Sequence, residues 1–109
     1  MIESDKILDR LQYIYLVDGA GAVPNVTKYS NGFVFSFATM GRKFRIALDD
    51  EYGDIEIEVT SDGGNTRMSH REEHIKNMTD REIAELAWDW VVDFQKVCTL
   101  FENNSDNIW

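Results

Sequence analysis

Three groups of side chains in this sequence have residue types and spacings that chemistry could use. His70-Arg71-Glu72-Glu73-His74 fits the five-residue string H-x-x-E-H, in which helical spacing lets two imidazoles hold zinc while a carboxylate activates water. Asp49-Asp50-Glu51-Tyr52-Gly53-Asp54 gathers four carboxylates in six residues, oxygen donors of the kind calcium takes. Glu82, Glu85, Asp89 and Asp93 recur at spacings of 3, 4 and 4. A helix would present them within about 80 degrees of one another, at successive rises of roughly 4.5 to 6 Å.

What these groups can do depends on the elements that hold them. A first helix is predicted over residues 5–17, with Ser4 as N-cap, Asp5 in the first turn and Gly19 as terminator. Ile7, Leu8, Leu11, Ile14 and Tyr15 form its core stripe, about 120 degrees wide. Over residues 26–71 the period changes from 3.6 to 2, which predicts an antiparallel meander of three to five strands. A two-residue loop at Met40-Gly41 sets Phe37 opposite Phe44, Phe35 opposite Ile46 and Phe33 opposite Leu48. A loop at 50–53 then sets Leu48 against Ile55, Ile46 against Ile57 and Phe44 against Val59 on the same face. Gly63-Gly64 would add a fourth strand, with Val59 opposite Met68 and Ile57 opposite His70; Asn31-Gly32 would turn in an edge strand over 26–30.

The last helix is the best signalled element. Thr79-x-x-Glu82 is a capping box, and Met78 with Ile83 has the spacing of a hydrophobic staple. It is predicted over 80–102, with Ile83, Leu86, Ala87, Trp90, Phe94, Val97, Cys98 and Phe101 as its apolar face and 103–109 as a polar tail. The fold class is α+β, one domain over 1–109, with both helices on the Phe-rich face of the sheet. The α-β-β-β-α order is shared with double-stranded-RNA-binding domains, but the basic residues that open their last helix are missing here. That resemblance is topological and carries no function.

This arrangement weakens most of the candidate chemistry. The register puts His70 on a strand, so the two imidazoles do not converge as they would on a helix, and no third zinc ligand is identifiable. The acidic loop misses the D-x-[DN]-x-[DN]-G spacing of a calcium loop. Gly19-x-Gly21 follows a helix, whereas a phosphate loop follows a strand and opens a helix. Cys98, on a helical apolar face, reads as an inert buried thiol. No catalytic residue, metal ligand or cofactor site is assigned, and the chain reads as a non-enzyme.

The charge is more informative. Twenty Asp and Glu against eleven Lys and Arg give a net charge of -9 over 109 residues, the wrong sign for direct nucleic-acid binding. Between Asp49 and Asp62 there are seven acids and no base. The outer sheet face neutralises itself in the expected register, Arg45 facing Glu58 and Glu56 facing Arg71. That leaves Asp49, Asp50, Glu51 and Asp54 in the loop, and Glu82, Glu85, Asp89 and Asp93 on the helix, as partner-binding candidates. Trp88 and Val92 project beyond the apolar stripe of the last helix, as Tyr13, Leu16 and Val17 do on the first. Side-by-side helices would cover them, and so would a partner or a second copy. Trp109 is a further candidate anchor.

No membrane span is present, and the acidic start lacks the pattern of a signal peptide, so the expectation is a cytoplasmic protein. Its expected role is that of an inhibitor occupying the basic nucleic-acid-binding groove of a nuclease or Cas-type effector. Such a nucleic-acid mimic would be similar in size and acidity to phage anti-CRISPR and anti-restriction proteins. The alternative is an acidic chaperone or immunity protein holding one cognate effector through its C-terminal helix, as a homodimer.

Overall fold

The computed structural model describes residues 3–19, 23–39, 41–60 and 67–107, of which 18–19 and 101–107 as backbone only. The turn expected at Gly63-Gly64, Met40 of the Met40-Gly41 loop, and Trp109 lie outside the described residues. Helix α1 (Ser4–Ile14) passes into a π-helical turn (Tyr15–Gly19) and is followed by strands β1 (Asn25–Tyr29), β2 (Gly32–Thr39), β3 (Arg42–Asp49), β4 (Asp54–Thr60) and β5 (Arg67–Glu72). A 3-10 turn (Ile75–Asn77) then leads into α2 (Asp80–Asn107). The strands form one antiparallel sheet in the order β1-β2-β3-β4-β5.

The inner-face register is the predicted one throughout. Phe33, Phe35 and Phe37 face Leu48, Ile46 and Phe44, which face Ile55, Ile57 and Val59 in turn. Val59 and Ile57 meet Met68 and His70. Every second residue of β4 is buried, so a slip by one residue would expose the whole set.

The β1–β2 hairpin differs from expectation by one position. Tyr29 pairs with Gly32, so Ser30 and Asn31 make the turn rather than Asn31 and Gly32. Gly32 instead opens β2 at φ +152°, and a Cβ there would stand 1.8 Å from the Leu48 carbonyl oxygen. The glycine is needed where β3 passes close to it, not to tighten the turn. Gly53, at φ +74°, sits against the side-chain stem of Lys76, and its carbonyl accepts from the Ile75 amide at 3.2 Å. The acidic loop is thereby tied to the segment that opens α2.

Both helices lie on the inner face and pack against each other. Arg10 reaches Glu85 and, farther along, Tyr15 meets Trp88, so the two helices run parallel. The capping box forms as expected: the Thr79 amide donates to Glu82 Oε1 at 3.1 Å and the Glu82 amide donates to Thr79 Oγ1 at 3.2 Å.

Four helical details are corrected. The N-cap of α1 is Glu3 rather than Ser4, with no side-chain cap; the Glu3 carboxylate bridges to Lys6 at 2.7 Å instead. The α-helix stops at Ile14, and the π-helical turn covers the rest of the stretch expected to be regular helix to 17. Helix α2 continues to Asn107 through Asn103-Asn104, taking up most of the expected tail. Its buried face is Ile83, Ala84, Ala87, Trp88, Val91 and Cys98, rotated about 70 degrees from the predicted stripe. That rotation brings Trp88 onto Tyr15, buries Val91 and leaves Trp90 and Phe94 half-buried.

Gly32→Ala places a methyl group inside the van der Waals shell of a backbone carbonyl, at a φ that L residues rarely adopt. The expected loss is at least about 2 kcal/mol in urea unfolding, with an unchanged slope. Ser36→Ala on the outer face serves as control and should stay within about 0.5 kcal/mol of the parent.

Candidate functional site

The structure sorts the candidate carboxylates into those with internal duties and those facing solvent. In the loop, Asp49 Oδ1 accepts from the amides of Glu51 and Tyr52 at 3.0 and 3.1 Å, so it shapes the turn. Asp54 is ion-paired with Arg71 from β5, a base that sequence separation hides. Asp50 and Glu51 remain at the tip, beside an exposed Tyr52.

On α2, Glu82 is used in the capping box. Glu85 accepts from Arg81 Nε at 2.9 Å and lies 3.7 Å from Arg10 Nη2. The hydrogen bond from Arg81 is the main cause that holds the Glu85 carboxyl below its ordinary value, with the charges of Arg81 and Arg10 adding to it. Asp89 and Asp93 are exposed, and among the described residues neither has an ion-pair partner. The row of four therefore presents two uncompensated carboxylates one helical turn apart.

The outer sheet face is balanced, although its ion pairs differ from those expected. Arg45 does lie opposite Glu58 and Glu56 opposite Arg71. The ion pairs, however, run diagonally, Arg67 to Glu58 at 2.8 Å and Arg71 to Asp54, because a long arginine reaches the diagonal neighbour across the strands. Lys43, Arg45, Arg67 and Arg71 stand there with Asp49, Asp54, Glu56 and Glu58, four bases against four acids. Helix α2, by contrast, has seven acids and two bases in its own sequence. Helix α1 is balanced, two acids against two bases, so α2 alone carries five of the nine excess negative charges.

Trp88 is a core residue, 8% exposed. Its ring meets Tyr15 edge to face at 6.3 Å and stacks on Phe37 at 5.7 Å. Side-by-side packing thus accounts for Trp88, but not for the other off-stripe residues: Tyr13, Leu16, Val17 and Val92 stay 57, 79, 64 and 40% exposed. Between the helices is a groove of about 260 Å³ lined by Arg10, Tyr13, Ile14, Val17, Glu85, Trp88 and Asp89. The Arg10 guanidinium lies 5.4 Å from the Tyr13 ring centre and steadies that wall.

Sequence reasoning missed Arg10 as a groove residue. It also missed Arg42, which is 3% exposed and donates from Nη2 to Thr99 Oγ1 at 3.2 Å. The signal for Arg42 was available, since it is in phase with Phe44, Ile46 and Leu48. His70 lies on β5 with its ring centre 4.2 Å from that of Trp90 and Nε2 3.5 Å from Glu72, whereas His74 adopts a left-handed conformation at φ 63° before the 3-10 turn. The H-x-x-E-H string is therefore not helical. Among the described residues no group of three or more His, Cys, Asp or Glu side chains is placed to hold a metal, and no helix is long and apolar enough to cross a membrane. No protein-family model, curated protein or solved structure matches the chain.

The sorting of carboxylates can be checked by stability. Glu82→Ala should cost about 1 kcal/mol in urea unfolding through loss of the capping box, and Asp93→Ala should stay within about 0.5 kcal/mol of the parent. Because the folded Glu85 carboxyl titrates below its ordinary 4.5, its pairing contributes fully above the unfolded value. That contribution fades as pH falls through the folded one. Glu85→Gln should therefore lower stability at pH 7 relative to the parent and converge with it near pH 3, read by thermal melts across that range.

Proposed function

We propose that this chain is a non-catalytic binding protein that occupies a basic surface of a partner protein, and that it acts as an inhibitor there. The observation that carries this reading is the segregation of charge. The outer sheet face is balanced, whereas α2 concentrates acids around Asp89 and Asp93 beside uncovered apolar side chains. A molecule of net charge -9 with such a face is drawn to basic grooves by its long-range field. A nucleic-acid-binding groove of a nuclease or Cas-type effector has the matching chemistry, and Asp89 and Asp93 are separated by a rise of about 6 Å.

A second reading has its own support. The exposed Tyr13, Leu16, Val17 and Val92 favour an acidic chaperone or immunity protein that holds one cognate effector through the two-helix face. Salt separates the two, because attraction between exposed charges is largely screened at high ionic strength and apolar contact is not.

The experiment is capture of partners by the tagged protein at about 100 and about 500 mM salt, with and without added DNA. A nucleic-acid enzyme held at low salt, displaced by DNA and lost on the double substitution Asp89→Lys with Asp93→Lys is the expected result. A partner retained at high salt and indifferent to DNA selects the second reading instead. A chain that captures no basic protein at either salt overturns both.

A further inference from the structure

We infer that the groove between α1 and α2 seats a single amphipathic helix of the partner, apolar side chains inward and Lys or Arg along its flanks. The inference rests on the reading of the chain as a binder of basic protein surfaces, and it specifies which part of that surface docks.

The groove has an apolar floor, Ile14 and Trp88, and one apolar wall, Tyr13 and Val17. Val92 continues the other side one turn beyond Trp88. At about 260 Å³ the groove falls below the roughly 300–1,000 Å³ of small-molecule pockets, yet it has room for an anchoring side chain. Two parallel helices present a trough, and a third helix can pack into it at about 8–10 Å from each axis.

The rim decides the occupant. Glu85 and Asp89 line the groove, while Asp93 lies one turn past Asp89 and Asp9 one turn before Tyr13, both exposed. Of the nearby bases, Arg10 is already engaged by Glu85 and Tyr13. A second copy of this chain would bring the same carboxylates face to face on molecules of charge -9, where like charges oppose association. An apolar stripe flanked by cations satisfies both the trough and its rim.

The test is titration calorimetry of the full chain with two synthetic 20-residue peptides of identical Leu, Ala and Lys composition. One has Leu at helical spacing with flanking Lys; in the other the order is permuted so that no apolar face forms. The patterned peptide is expected to bind at least ten-fold more tightly. Val17→Asp and Val92→Asp, both at exposed positions, should each remove most of that advantage while the melting temperature holds within a few degrees. Equal binding of the two peptides overturns the groove inference but leaves the basic-surface reading standing, because charge alone then suffices. Binding of neither peptide at about 100 mM salt overturns both. Sedimentation that shows a dimer dissociated by Val17→Asp assigns the groove to a second copy and overturns the inference.

Discussion

One face of the five-stranded sheet cannot be left in water, and that requirement organises the rest of the molecule. Phe33, Phe35, Phe37 and Phe44 stand with Ile46, Leu48, Ile55, Ile57 and Val59 on the same side, each contributing about 2 kcal/mol when buried. Alternation is strict along β3 and β4, so the alternative register would place Lys43, Arg45, Glu56 and Glu58 inside. Burying four charges costs far more than any turn or propensity can return, even where opposite charges could pair. The central strands are fixed by this difference more than by their loops, and the one-residue difference at the β1–β2 turn alters only the pairing of the edge strand β1, leaving the β2–β3 and β3–β4 inner pairs as expected.

The lids follow from the sheet. One helix of eleven residues is about 16 Å long and cannot cover strands of about 27 Å. A second helix must share the face, and the two lie parallel with both N-termini at the end where the acidic loop turns. Asp5 and Asp80 in the first turns then complement the helix dipoles, and the hydrogen bond from Ile75 to Gly53 fixes where α2 begins. Its later course is anchored at Arg42 and Thr99, near the far end of the strands. The remaining turns run past the sheet.

The strand pairs and the capping box were legible in the sequence because each is a short-range rule with a matching partner: period 2 meeting period 2, or Thr79 meeting Glu82. The rotation of α2 was not. A helical wheel finds the most apolar stripe, whereas a helix wedged between a sheet and another helix buries the sector that faces both, and so takes Ala84 and Trp88 in preference to Leu86 and Val97. The fate of the acids was hidden for a similar reason. Asp54 and Arg71 are seventeen residues apart, and only the β4–β5 register brings them together. Asp89 and Asp93 were identified by spacing alone, while Tyr13, Leu16 and Val17 were visible as off-stripe residues whose covering could not be decided before the helices were placed.

The uncovered apolar side chains and the uncompensated acids are best understood together. Exposed Tyr13, Leu16, Val17 and Val92 on neighbouring turns form the type of surface that promotes self-association. Moving the acids of α2 elsewhere would leave that surface free to meet its own copy. With Glu85, Asp89 and Asp93 around it, two copies repel at the distance where apolar contact would begin, while a basic partner is attracted at the same distance. The balanced sheet face offers no such discrimination. On the proposed reading, charge on the helix face would both oppose self-association at the apolar groove and favour a basic occupant, and both effects would weaken together as salt shortens the range of the field.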